Sequence, residues 1–126
     1  MNILLSALLA LAAASSSAMH VHLTRAEPAS GSTVHAAPTA IRLWFSEEIQ
    51  ISVTTVRLTG PDSARVELAA PAMGDGAHAP VVVLVSGTIK PGRQQVAWRT
   101  MSRDGHAVSG TFAFTLTSAA GTAARR

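Results

Sequence analysis

Apolar and polar residues alternate in short segments along most of the chain. In residues 39–45, for example, Ile41, Leu43 and Phe45 fall on one face, with Arg42 and Trp44 between them. A period of two residues is typical of a β-strand that buries one side, and a short continuous apolar run such as 81–85 suits a fully buried strand. The pattern predicts strands at residues 39–45, 51–58, 65–69, 81–85, 95–101 and 108–117.

Turn-forming residues separate these segments. Proline or glycine occurs at Glu27-Pro28, Ser30-Gly31, Ala37-Pro38, Lys90-Pro91-Gly92 and Asp104-Gly105. Short strands at this spacing predict an all-β domain, a β-sandwich of Greek-key type. Within it, residues 46–50 are expected to form at most one helical turn. The stretch 69–80, rich in Ala, Gly and Pro, is expected to be the most mobile loop.

The first nineteen residues predict a secretory signal peptide. An apolar run at 3–14 is too short to span a bilayer and leads into small residues that end at Ala18. The segment before it has no Lys or Arg, so a buried N-terminal helix is the alternative. Cleavage is expected after Ala18 or after Met19, which leaves an exported domain at 20–117 and a flexible tail at 118–126. The mature part contains no further apolar stretch that could span a membrane.

Charge and cysteine content narrow the possible functions. The formal charge of +3 comes from scattered basic residues, without the stripe or aromatic interleaving of a nucleic-acid interface. There is no cysteine, so neither a disulfide nor a thiolate site for a soft metal is possible.

Histidines occur in two clusters near opposite ends of the predicted domain. His20 and His22 share a face if their segment is extended, and Asp104 and His106 flank a glycine in a predicted turn. Cleavage before His20 would give that residue a free α-amine beside its own imidazole, and the two close a six-membered ring on a metal. With Asp104 and His106 they form a tetragonal N/O donor set, which Cu(II) prefers.

Each of these residues also has an alternative role. Asp104-Gly105 is a strong hairpin signal by itself, because both residues accept a positive φ. His22 is either an extra ligand or a residue that covers the site. Glu47 is either a carboxylate that orients an imidazole or a solvated residue at a strand end. Met73, Asp75 and His78 could form a weak second site, or simply a solvated loop.

Four segments together resemble the CopC family of periplasmic copper-resistance proteins. They are His-Val-His-Leu at 20–23, Leu-Trp-Phe-Ser-Glu at 43–47, Trp-Arg-Thr-Met-Ser-Arg-Asp-Gly-His at 98–106 and Val-Ser-Gly-Thr-Phe at 108–112. The resemblance spans about residues 20–117. It implies an immunoglobulin-like Greek-key fold and a Cu(II) site with His20, Asp104 and His106 as ligands.

The resemblance also implies a partner and a subtype. The expected partner is a separate CopD-type inner-membrane protein that exchanges copper with this chain. Some family members bind Cu(I) through a methionine-rich loop, whereas the matching region here offers only Met73, with His78 nearby. A Cu(II)-only protein that carries or sequesters copper is therefore expected, rather than an enzyme.

Two other functions remain open. Copper oxygenases that cleave polysaccharides also chelate copper with an N-terminal histidine. Against that function, the chain lacks Tyr and has few aromatic residues for a flat sugar-binding face. The second alternative is a structural β-sandwich whose histidines are incidental.

Overall fold

The computed structural model describes residues 20–117, which fold into two β-sheets packed face to face. The predicted leader at 1–19 and the predicted tail at 118–126 lie outside the described residues. A 3-10 turn at Ile51–Val53 lies between β3 and β4. The strands are β1 (Leu23–Glu27), β2 (Thr33–Val34), β3 (Ala40–Phe45), β4 (Thr55–Thr59), β5 (Arg65–Val66), β6 (Ala72–Met73), β7 (Val81–Leu84), β8 (Gly92–Met101) and β9 (Ala107–Leu116).

The strand order confirms the predicted all-β sandwich. One sheet has the order β1-β3-β7-β6 and the other β2-β9-β8-β4-β5, so that the chain crosses between sheets several times. Most pairs are antiparallel, while β2 lies parallel to β9. Within residues 20–117, no helix is long and apolar enough to cross a membrane.

The core lies between the sheets and follows the alternation of the sequence. In β8, residues 94, 96, 98 and 100 are buried, and the residues between them point outward. The side chains with the least exposure come from both sheets and include Ile41, Leu43, Leu58, Val81, Val83, Val96 and Phe114. Because no cysteine is present, this packing and the hydrogen bonds of the sheets stabilise the domain.

Three stretches differ from the simplest expectation for them. Residues 51–53 form the 3-10 turn instead of the start of a strand, because Val53 and Thr54 donate backbone hydrogen bonds to Gln50 and Ile51. Residues 46–50, where at most one helical turn was expected, form none, and Ile49 pairs with Ser102 in an isolated bridge. The stretch 69–80 includes the short edge strand β6, which pairs with β7.

Strand pairing brings the two histidine clusters to the same end of the sandwich. The β8–β9 hairpin pairs Met101 with Ala107, which leaves residues 102–106 as its turn. The β1–β3 pair places the segment before β1 beside the end of β3. The Ile49–Ser102 bridge then joins the chain after β3 to the hairpin turn. This end is called the histidine pole below.

Candidate metal centre

Ser102 organises the turn of the β8–β9 hairpin. The backbone N–H of Gly105 donates to the Ser102 carbonyl at 3.0 Å, and the N–H of Ser102 donates to the His106 carbonyl at 2.9 Å. Gly105 has a φ of +92°, a conformation that glycine adopts without steric cost. Asp104 is not among the described residues with a positive φ, so only one half of the Asp-Gly pair needs that conformation. Gln50 fixes the turn from outside by donating to the Ser102 carbonyl at 2.8 Å.

The hydroxyl of Ser102 holds the Asp104 carboxylate. It donates to Asp104 Oδ1 and accepts from the backbone N–H of His106 at 3.1 Å. The ring of His106 contacts the other carboxylate oxygen, with 3.1 Å between Nδ1 and Oδ2. The hydrogen bond from Ser102, with the adjacent His106 ring, lowers the pKa of Asp104 below its usual value. The carboxylate, whose side chain is largely exposed, is therefore ionised at neutral pH.

A buried valine and a serine hold the N-terminal histidines in place. Val21 is only 3% exposed, so it anchors the segment in the core, while His20 and His22 on either side are exposed. The backbone N–H of His22 donates to Ser46 Oγ at 3.0 Å, and the N–H of Ser46 donates to the His22 carbonyl at 2.9 Å. In the sequence His-Val-His, the buried valine therefore leaves an exposed imidazole on each side of it.

An open pocket of about 490 Å³ joins the two clusters at the histidine pole. The rings of His20 and His106 meet edge to face, with 6.1 Å between their centroids. Within the sandwich, Phe45 and Trp98 pack edge to face, with 5.1 Å between their ring centroids. The pocket is lined by His20, Glu47, Glu48, Ser102, Arg103, Asp104 and His106.

A family model for the CopC domain matches residues 23–117, which cover most of the chain. The chain belongs to the CopC family. This match includes the Asp-Gly-His turn and all nine strands of the sandwich.

Individual relatives agree with the family assignment. Protein YobA of Escherichia coli K12 is 32% identical over 97 residues, which cover 77% of this chain and 78% of YobA. The crystal structure of PcoC, a methionine-rich copper resistance protein from Escherichia coli, superposes with a TM-score of 0.68 at 29% identity, covering 78% of this chain and 99% of PcoC. CopC from Methylosinus trichosporium OB3b shares the fold, with a TM-score of 0.69, 23% identity and coverage of 79% of this chain and 95% of that one.

The candidate donor residues of this CopC domain lie close together but do not surround one point. Among residues 20–117, no three His, Asp or Glu side chains already form a group that could hold a metal ion. The Asp104 carboxylate is occupied by Ser102 and His106, and the nitrogen of His20 is a peptide nitrogen as long as Met19 precedes it.

The charge of the pocket suits a cation. Glu47, Glu48 and Asp104 contribute carboxylates, whereas Arg103 is the one Arg or Lys among the lining residues. The guanidinium of Arg103 pairs with Glu48, Asp104 contacts the His106 ring, and Glu47 is in none of the ion pairs of the described residues. With neutral imidazoles, the pocket carries an excess of negative charge, which attracts a metal cation.

The structure brings some of the predicted site residues into one pocket and leaves others outside it. His20, Asp104, His106 and Glu47 line one pocket, whereas His22 does not line it and its Nδ1 lies 3.4 Å from the His20 carbonyl. Met73 and His78 are exposed outside this pocket.

The pocket is also lined by three residues that were not predicted from the sequence: Ser102, Glu48 and Arg103. Of these, Ser102 had a sequence signal, because a serine two residues before Asp104 can bond to the turn through its hydroxyl.

Proposed function

We propose that this CopC-family chain is an exported protein that binds Cu(II) as cargo and sequesters or carries it in the periplasm. One observation supports this most directly: His20 lines the same pocket as Asp104 and His106, although it is more than eighty residues from them in the sequence. The proposed ligands are the amine and imidazole of His20, the carboxylate of Asp104 and the imidazole of His106. Glu47 is the proposed additional carboxylate at the edge of the site.

The donor chemistry favours Cu(II) over other ions. Nitrogen and oxygen donors in a tetragonal arrangement suit Cu(II), and Cu(II) exceeds Zn(II) in intrinsic affinity for such donors. Cu(I) prefers thiolates and thioethers, whereas the pocket lining contains neither. The Asp104 carboxylate also occupies a position that an oxygen-activating enzyme would need open, so we propose binding rather than catalysis. A separate CopD-type inner-membrane protein is the proposed partner in copper exchange.

Replacing His106 tests the proposed function. In a chain that begins at His20, His106→Ala should weaken Cu(II) binding by at least about 100-fold, because loss of even an indirect partner of a ligand costs about 10–100-fold. The affinity is measured by competitive titration at pH 7 against a chelator of known strength. The matched control is His78→Ala, which removes an exposed imidazole outside the pocket and should bind Cu(II) like the parent chain. Equal affinity in His106→Ala and the parent would refute the proposed site.

Ser102 is expected to act as a positioning residue. Its hydroxyl contacts both the Asp104 carboxylate and the His106 backbone, so Ser102→Ala should weaken Cu(II) binding by about 10–100-fold. Ser102→Thr keeps the hydroxyl and should recover most of the affinity. The electron paramagnetic resonance spectrum of bound Cu(II) should change in Ser102→Ala and return in Ser102→Thr. An unchanged spectrum and affinity in Ser102→Ala would show that the hydroxyl only stabilises the turn.

A further inference from the structure

The outward side of the five-stranded sheet carries four exposed arginines. Arg93 and Arg99 lie on β8, Arg57 on β4 and Arg65 on β5. The β8 arginines alternate with buried residues, and the ladder pairs Thr55 with Arg99 and Thr59 with Arg65. All four arginines therefore project from the same side of the sheet. This surface is called the arginine face.

No carboxylate lies within the strands of this sheet. The sequences of β2, β4, β5, β8 and β9 contain no Asp or Glu. The acidic residues nearest in sequence to its edge are Asp62, which pairs with Lys90 at 3.1 Å, and Glu67, which follows the end of β5. In the part of the chain that the structure describes, the four arginines take part in none of the ion pairs.

Most of the other side chains of the arginine face are Ser, Thr, Ala or Gln, and Met101 lies at its edge, half-buried. On β9, Ser109 pairs with Arg99, Thr111 with Ala97 and Thr115 with Arg93. The large apolar side chains that are exposed among residues 20–117 are Val53, Met73 and Leu84, and none of them is in a strand of this sheet. The face therefore lacks the aromatic or aliphatic anchor that usually forms the centre of a protein–protein interface.

We propose that the arginine face docks the domain electrostatically on a bilayer that contains anionic phospholipids. The spread of the charges favours a lipid surface over a single ligand, because Arg93 and Arg99 are six residues apart on one strand, or about 20 Å. Arginines attract an anionic bilayer additively and over the Debye length, without an apolar anchor.

Docking on this face would leave the metal pocket accessible. The pocket lies at the end of the same sheet, because its turn at 102–106 joins β8 to β9. The histidine pole would then lie near the bilayer surface without being covered by it. If the proposed function holds, a domain docked in this way presents its copper at the level of an integral membrane acceptor.

Vesicle binding tests the proposal. The chain from His20 to Arg126, which contains the whole described sandwich, is sedimented with phosphatidylcholine vesicles with or without phosphatidylglycerol. It should bind only the anionic vesicles and should be released by salt. The double variant Arg57→Gln and Arg99→Gln should bind at least about 10-fold more weakly. The matched control, Arg25→Gln and Arg42→Gln, removes the same charge from strands of the other sheet and should bind like the parent.

Two outcomes would overturn the proposal. Equal weakening in both double variants would mean that net charge, not the arginine face, causes binding. Failure of the parent chain to bind anionic vesicles at low salt would exclude a lipid surface and leave an acidic protein as the alternative. A Cu(II) titration of the same variants separates the two proposals. Loss of vesicle binding with unchanged copper affinity supports the docking face, and the vesicle pattern without copper binding refutes only the proposed function.

Discussion

Cu(II) should bind the chain that begins at His20 at least about 1,000-fold more tightly than the chain that begins at Met19. In the shorter chain the nitrogen of His20 is an amine, which donates to the metal together with its own imidazole. In the longer chain the same nitrogen is a peptide nitrogen, so one donor and the chelate ring are both lost. Since the loss of an indirect partner costs about 10–100-fold, the loss of a donor and a ring should cost more.

The comparison is a competitive Cu(II) titration of the two chains at pH 7. Val21 is buried, so both chains should hold His20 at the same pole and differ only in the amine. Acetylation of the amine in the shorter chain provides the control, because it removes the donor without adding Met19. Equal, tight binding by both chains would mean that side chains alone form the site. Weak binding by both would remove the case for a copper carrier.

The alternation of apolar and polar residues predicted the sandwich because it follows directly from which side of each strand is buried. Ile41, Leu43 and Phe114 are on the core side of their strands, where the alternation placed them. The same pattern failed at Ile51 and Val53, because β-branched residues favour a strand but local hydrogen bonds to Gln50 and Ile51 close a 3-10 turn there. It also could not identify β2 or β6, since strands of two residues are too short to show a period.

The candidate site was predictable only as far as its donors are chemically distinctive. His20, Asp104 and His106 have metal-binding side chains, and their shared position at one end follows from a hairpin and a first strand. Glu48 could not be told from other surface glutamates in the sequence, and Ser102 had only its spacing from Asp104 as a signal. Their places in the pocket depend on the Ile49–Ser102 bridge, a contact between residues more than fifty positions apart.

Cu(II) should also raise the melting temperature of the chain that begins at His20 by about 10–20 °C. A ligand that binds only the folded state and is present at 100 times its dissociation constant adds about 2.7 kcal/mol to the free energy of unfolding. In a domain of about 100 residues, each 1 kcal/mol shifts the midpoint by about 4–8 °C. Because the proposed donors are more than eighty residues apart in the sequence, the unfolded chain cannot gather them, and the gain should approach this limit.

Acidification and one substitution separate this stabilisation from non-specific effects of copper. Nitrogen donors bind Cu(II) only when deprotonated, and free imidazole has a pKa of about 6.5, so the gain should be present at pH 7 and lost at about pH 5. Asp104→Asn removes the anionic donor but keeps the size of the side chain, and it should reduce the gain at pH 7. The measurement is the melting curve followed by circular dichroism with and without Cu(II). A melting temperature that copper leaves unchanged at pH 7 would favour a structural β-sandwich with incidental histidines, because a folded-state site cannot bind tightly without stabilising the fold.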